Sequence, residues 1–307
     1  MALDPLSSIR IGLQTAIRKT LVGDQPAVRD LSKPLSGDTG LFGPSSVTWR
    51  VHADSAMLIG GIRALLLQTI HPLAMAGVAD HSSYRTDPTG RLWRTASFVG
   101  TTTYGTKAEA KHAVAIVKKV HERVVGQAPD GRSYEANDPH LMAWVHHTLV
   151  ESFLVSYQRY GAAKLSGDDA DRYVAEQARL GDLMGVESPA RSVAELHQAM
   201  TTIRSELKAG SQARGAIRFL LVPPLPLAAR GPYAVLCAAA VGLLPGWVRW
   251  DLRIPYLPIT ERVAVRPATK ALSAILGWAM SAPSSPSAPL SQSAPSSSGP
   301  SVPSSQR

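Results

Sequence analysis

Sixteen consecutive residues, SAMLIGGIRALLLQTI at 55–70, constrain the fold of this 307-residue chain more than any other stretch. They are almost wholly apolar, as a helix enclosed on every side by other elements must be. The segments around them read as helices too. The central run ends near HPLAMAGVADHSSYRTDPTG, where Pro72, Pro88 and Gly90 punctuate the chain. A short segment, RLWRTASFVGTTTYG, precedes a helix that carries AIVKKVHERVVG. GQAPDGRSYEANDP reads as a polar, turn-rich loop, and Asp138-Pro139 starts the next helix, which closes on Gly161. Two more helical segments follow, around DDADRYVAEQARLGDLMG and SVAELHQAMTTIRSELKAG. The expectation is an all-α protein with a single globular helical domain at 41–280. An N-terminal helical extension at 1–40 precedes it, with Ile9, Leu13, Ile17 and Leu21 at amphipathic spacing. The Ser/Pro tract at 281–307 has almost nothing to bury and is expected to be disordered.

Composition narrows the function classes. A 45% apolar content suits a folded chain. The formal charge of +9 is dispersed rather than gathered into a run, as KAEAKH and VKKVHER mix both signs. Nucleic acid is therefore not expected as a partner. The single cysteine, Cys237, excludes an internal disulfide and reads as a small buried residue. The N-terminus lacks the apolar core of a secretory signal, so the expected location is cytoplasmic. FLLVPPLPLAARGPYAVLCAAAVGLLPGWVRW is interrupted by Pro223, Pro224, Pro226, Arg230 and Pro232, and its apolar run after Tyr233 is too short to span a bilayer. It reads as buried core or as an element dipping into a membrane surface.

Chemistry concentrates at a few positions. At helical period Ala110, Ala113, Val114, Val117, Val120 and Val124 form an apolar stripe, and His121 lies on it. An imidazole there is either a core residue satisfied by one hydrogen bond or an iron or zinc ligand. In RLWRTASF a helix would put Arg91, Arg94 and Thr95 on one face, able to hold carboxylates or stabilise bound oxygen; the alternative is a pair of surface arginines flanking Leu92 and Trp93. His146 shares an inward stripe with Met142, Leu149, Val150 and Phe153, whereas His147 lies about 100° further round. His71 and His81 line a cavity or bond backbone at a helix end. Gly60-Gly61 reads as a site of close helix packing. The patterns for zinc, di-iron, P-loop, dinucleotide and serine-hydrolase sites are missing.

In order, GGIRALLLQTIHPLAMAGVADHSSYRTDPTGRLWRT, YGT, VHERVVG, YEANDPHLMAWVHHTL and LLPGWVRWDL resemble the rubber oxygenase/mpaB-type oxygenase catalytic domain, the family of the latex clearing proteins. The resemblance runs from about residue 45 to about residue 260. It implies an all-helical fold and, in the latex clearing branch, a non-covalent b-type haem with an axial histidine and oxidative cleavage of isoprenoid double bonds by O2. Carried over, His121 matches the axial ligand and Arg91 would fix the cofactor. Arg91, Arg94 and Thr95 match a distal arginine-x-x-lysine-threonine motif, and His146 resembles a later pocket histidine that orients substrate or relays a proton. Arg94 stands where the latex clearing motif has lysine. Arginine stays protonated and offers iron no lone pair, so Arg94 is expected to act as a charged donor, with Thr95, or to pair with a carboxylate of the haem.

The expected function is thus a haem b-dependent oxygenase that acts on a hydrophobic, isoprenoid-like small molecule. Two alternatives remain: a non-catalytic lipid-binding or membrane-peripheral helical protein, and an oxidoreductase with a non-haem metal.

Overall fold

The structure, a computed structural model, describes residues 38–280 apart from Tyr256. The expectations for the extension before residue 38 and for the Ser/Pro tract lie outside the described residues. In chain order the helices are α1 (Val47–His52), α2 (Ala56–Gln68), α3 (Pro72–His81), α4 (Pro88–Tyr104) and α5 (Lys107–His121). A hairpin of β1 (Val125–Gln127) and β2 (Ser133–Glu135) follows. Next come α6 (Pro139–Tyr160), α7 (Gly167–Met184), α8 (Val193–Thr202), α9 (Ser211–Leu221), α10 (Leu227–Gly242) and α11 (Gly246–Leu252). A single turn, Pro258–Thr260, and a π-turn, Glu261–Val265, lead into α12 (Arg266–Met280).

Local sequence sets most of these boundaries. Asp87 and Asp138 each accept backbone N–H bonds ahead of a first-turn proline, starting α4 and α6. Thr106 and Glu109 form a capping box at α5. Gly185, at φ +83°, stops α7 in a left-handed turn that a side chain would strain. The Glu176 carboxylate of α7 accepts the Val47 and Thr48 N–H groups at 3.3 and 2.8 Å, fastening the start of α1.

As expected, α2 is the buried centre, and it lies along α6. Gly60 allows their approach. A Cβ there would meet Phe153 Cα and the Ser152 carbonyl oxygen, both at 3.1 Å. Gly61 plays no such part, since its Cβ would meet nothing within 4 Å. The apolar run also conceals a charge. Arg63 is 2% exposed, and its guanidinium donates to both Glu151 carboxylate oxygens at 2.5 and 3.1 Å, to Ser152 Oγ and to the Leu243 carbonyl.

Several expectations need correction. The turn-rich loop after α5 contains the β1–β2 hairpin, because Asp130-Gly131 turns the chain with Gly131 at φ +88° and buried Tyr134 anchors the second strand. The short segment around RLWRTASF is a full helix of 17 residues. Pro232 lies inside α10, as its sixth residue, rather than interrupting it; its missing N–H removes the helical bond that this position would give the Ala228 carbonyl. The prolines at 223–226 do separate α9 from α10. Cys237 is a free, buried thiol, whose pKa burial pushes up to about 12. Among the described residues no single helix is long and apolar enough to cross a membrane.

Candidate active site

Most of the site residues singled out in the sequence gather around one cavity of about 480 Å³, within the usual range for small-molecule sites. It lies between α2, which contributes Leu65 and Gln68, and α3, α4, α5, α6, α7 and α9, and its walls are mostly apolar: Leu73, Leu92, Phe98, Met142, Leu149 and Phe219 are representative. His121, His146, Arg91 and Arg94 all line it. Thr95 does not. Its hydroxyl donates to the Arg91 carbonyl one turn back, at 3.1 Å, on the exposed side of α4.

His121 is the last residue of α5, where the apolar stripe meets the cavity. Ala110 and Val114 are buried, but Val120 is 56% exposed and borders the cavity with Val124. The stripe therefore ends on open space instead of packed core. Within the His121 ring, Nδ1 is enclosed and lacks a hydrogen-bond partner. Asn137 stands beside it, its Nδ2 donating to the Lys118 carbonyl at 3.0 Å and its Oδ1 likewise enclosed and unpartnered. Burial lowers the His121 pKa, with the Asn137 side chain opposing it. The ring is consequently neutral at pH 7 and keeps a lone pair.

His146 is buried, and burial, with His147 beside it, lowers its pKa to about 3. Gly181 of α7 makes room for this ring, since a Cβ at that position would stand 3.0 Å from Nε2. Its neighbour His147 is also buried, but its Nε2 accepts the Ala190 N–H at 3.1 Å, which gives it a purely structural role. His71 caps α3, Nδ1 accepting the Ala74 N–H at 3.4 Å, and His81 borders the cavity with Nε2 on the Val125 carbonyl at 3.1 Å.

The two arginines differ. Arg91 is largely enclosed and donates to Ser82 Oγ; burial first, then the nearby Arg94 charge, lowers its pKa without neutralising it. Arg94 is 56% exposed, with Asp87 at 3.4 Å and Ser83 Oγ at 3.2 Å. It stands at the rim as a cation already engaged with a carboxylate.

Sequence reasoning missed Asn137, which it placed only within the turn-rich loop before Asp138-Pro139, and Gly181. It also missed the contribution of α9, whose Ala216, Phe219 and Leu220 close one wall. The four-residue spacing of Ala216 and Leu220 is the signal that could have revealed that wall.

The resemblance to the latex clearing branch implies a b-type haem, and the residues present fit one. They comprise an apolar cavity, a neutral imidazole on its wall with one nitrogen enclosed, and two cations at its edge for carboxylates. A porphyrin supplies four nitrogens of its own and needs a single protein ligand. A non-haem site needs several, and among the described residues no group of three or more His, Cys, Asp or Glu side chains is placed to hold a metal ion.

Compared with known proteins, residues 49–278 match the family described as ER-bound oxygenase mpaB/B'/Rubber oxygenase, catalytic domain. Searches of curated proteins and of solved structures returned no match. The matched span runs from within α1 to within α12 and contains every cavity-lining residue. The chain belongs to the mpaB/rubber oxygenase family of oxygenase catalytic domains.

Proposed function

We propose that the chain is a haem b-dependent oxygenase that uses O2 to oxidise a hydrophobic, isoprenoid-like small molecule. The observation that carries this reading is the His121 ring: neutral, half enclosed, and set in the wall of an apolar cavity where, among the described residues, no group of three or more His, Cys, Asp or Glu side chains could hold a metal ion by themselves. His121 would hold the cofactor. A proton on the enclosed Nδ1, beside Asn137, would leave the lone pair on Nε2, the arrangement that ligating histidines adopt. Arg91 and Arg94 would receive the carboxylates of its edge. When bound, haem supplies the iron at which dioxygen is activated.

The chain's own groups do the remaining work. The apolar walls exclude water and hold a nonpolar substrate by burial alone. His146, kept neutral by burial, offers one donor and one acceptor nitrogen for orienting substrate or passing a proton. Arg94, tied to Asp87 and Ser83, fits the role of rim cation better than that of a group over the reacting centre. Thr95 has no part in this scheme, because its hydroxyl is spent on its own helix.

Metal and porphyrin analysis of the purified protein tests the proposal. Iron and porphyrin in equal amounts support it. Metal without porphyrin would replace it with the non-haem reading. Bound lipid with neither iron nor porphyrin, even after incubation with haem, would favour the non-catalytic alternative.

A further inference from the structure

We infer that the surface formed by residues 257–270 docks peripherally on an anionic lipid bilayer. Two large apolar side chains stand in solvent there: Ile259 at 78% exposed and Val263 at 71%. Leu257 is exposed as well. Ile259, Arg262, Val263, Arg266 and Lys270 follow one another at intervals of one, three and four residues through the π-turn and the start of α12. All five are exposed, and Ile259, Arg262 and Arg266 line a common shallow depression.

The charge of this region is one-sided. From residue 211 to residue 280 the chain carries eight Arg and Lys against two carboxylates. Both carboxylates are engaged inward. Asp251 accepts the Ala209 N–H at 2.5 Å, and Glu261 pairs at 2.5 Å with buried Arg249. Arg249 also donates to the Gly242 and Leu244 carbonyls, so the underside of the patch is fixed to the body of the domain. No ion pair engages Arg253, Arg262, Arg266 or Lys270 among the described residues.

Cations interleaved with Leu, Ile and Val match the boundary between anionic headgroups and acyl chains. A second copy of the same face would bring cation against cation with no acid to answer it. An acidic protein or nucleic acid would account for the arginines and leave the aliphatic side chains unexplained. A bilayer is also where a molecule as apolar as the cavity walls dissolves. The inference concerns the surface and does not depend on what the cavity holds.

Flotation of the full-length protein with phosphatidylcholine vesicles, with and without phosphatidylglycerol, tests it. Wild type should float with the anionic vesicles and detach as salt rises. Arg262→Gln/Arg266→Gln should weaken partition about thirtyfold, from about fivefold per cation. Ile259→Ser/Val263→Ser should weaken it further at high salt, where the apolar contribution remains. Both variants alter exposed side chains outside the cavity and should unfold at the wild-type temperature. Failure of wild type to float would overturn the inference, whether the patch is bare or covered by the chain's own terminal segments. So would equal flotation of wild type and both variants, or a dimer that Ile259→Ser/Val263→Ser dissolves without any vesicle binding. None of these outcomes would touch the iron and porphyrin result.

Discussion

Gly60 and Gly61 are neighbours in one helix, and alanine should shift stability in opposite directions at the two. In a helix interior, Gly→Ala gains about 1 kcal/mol from propensity alone. At Gly61 nothing opposes the gain, because the new methyl would have open space for 4 Å. At Gly60 the methyl would stand 2.6 Å from Phe153 Cδ1 and 3.1 Å from both Phe153 Cα and the Ser152 carbonyl oxygen. The ring can turn aside, but the two backbone contacts yield only if α2 and α6 separate. Overpacking of this kind costs about 1–3 kcal/mol. After the propensity gain, Gly60→Ala should lose up to about 2 kcal/mol, while Gly61→Ala should gain up to about 1. For a domain of this size each kcal/mol moves Tm by about 2–4 °C. Thermal unfolding followed by circular dichroism should therefore place the two variants on opposite sides of wild type. If Gly60→Ala melted at or above the wild-type temperature, the close approach of α2 and α6 would be wrong, and with it the relative placement of Gln68 and His146 on the cavity wall.

Two further outcomes follow from buried charge. Arg63→Met or Glu151→Gln alone should cost about 3–5 kcal/mol by urea unfolding, because each strands one partner of an enclosed pair, and Arg63→Met/Glu151→Leu should recover most of that loss. Acid should destabilise the fold through His52 and His146, whose pKa values burial lowers from 6.5 to about 3. Between those values the unfolded chain binds protons that the folded chain refuses. Stability is therefore complete above pH 6.5 and falls as pH drops through the window, by about 1.4 kcal/mol per pH unit for each ring. His146→Gln should reduce that slope by one proton between pH 6.5 and pH 5, before carboxylates titrate; an unchanged slope would contradict its burial.

Much of this could be read from the chain because local signals and burial agreed. Asp138-Pro139 and Gly161 bound α6 as their chemistry requires, and the apolar 55–70 run is the central helix. The inward reading of His146 held for the same reason, with Met142, Val150 and Phe153 buried on the same helix. What sequence could not supply was pairing across long separations. Arg63 looked incidental in an apolar run because its partner Glu151 is 88 residues away. Periodicity put Thr95 on a face with Arg91 and Arg94 but could not show that its hydroxyl turns back onto its own helix. Likewise the stripe through Val117 and His121 gave the direction of the ring, while the cavity it meets is built from distant helices.

The most direct measurement of the central claim is the visible spectrum of the haem-loaded protein with its histidines replaced one at a time. Wild type should show a Soret band. His121→Ala should lose or shift it while keeping its helical circular dichroism, and added imidazole should restore it. His146→Ala should leave the band in place. A Soret band indifferent to His121→Ala, or one that moves with His146 instead, would contradict the assignment of His121 as the residue that holds the cofactor.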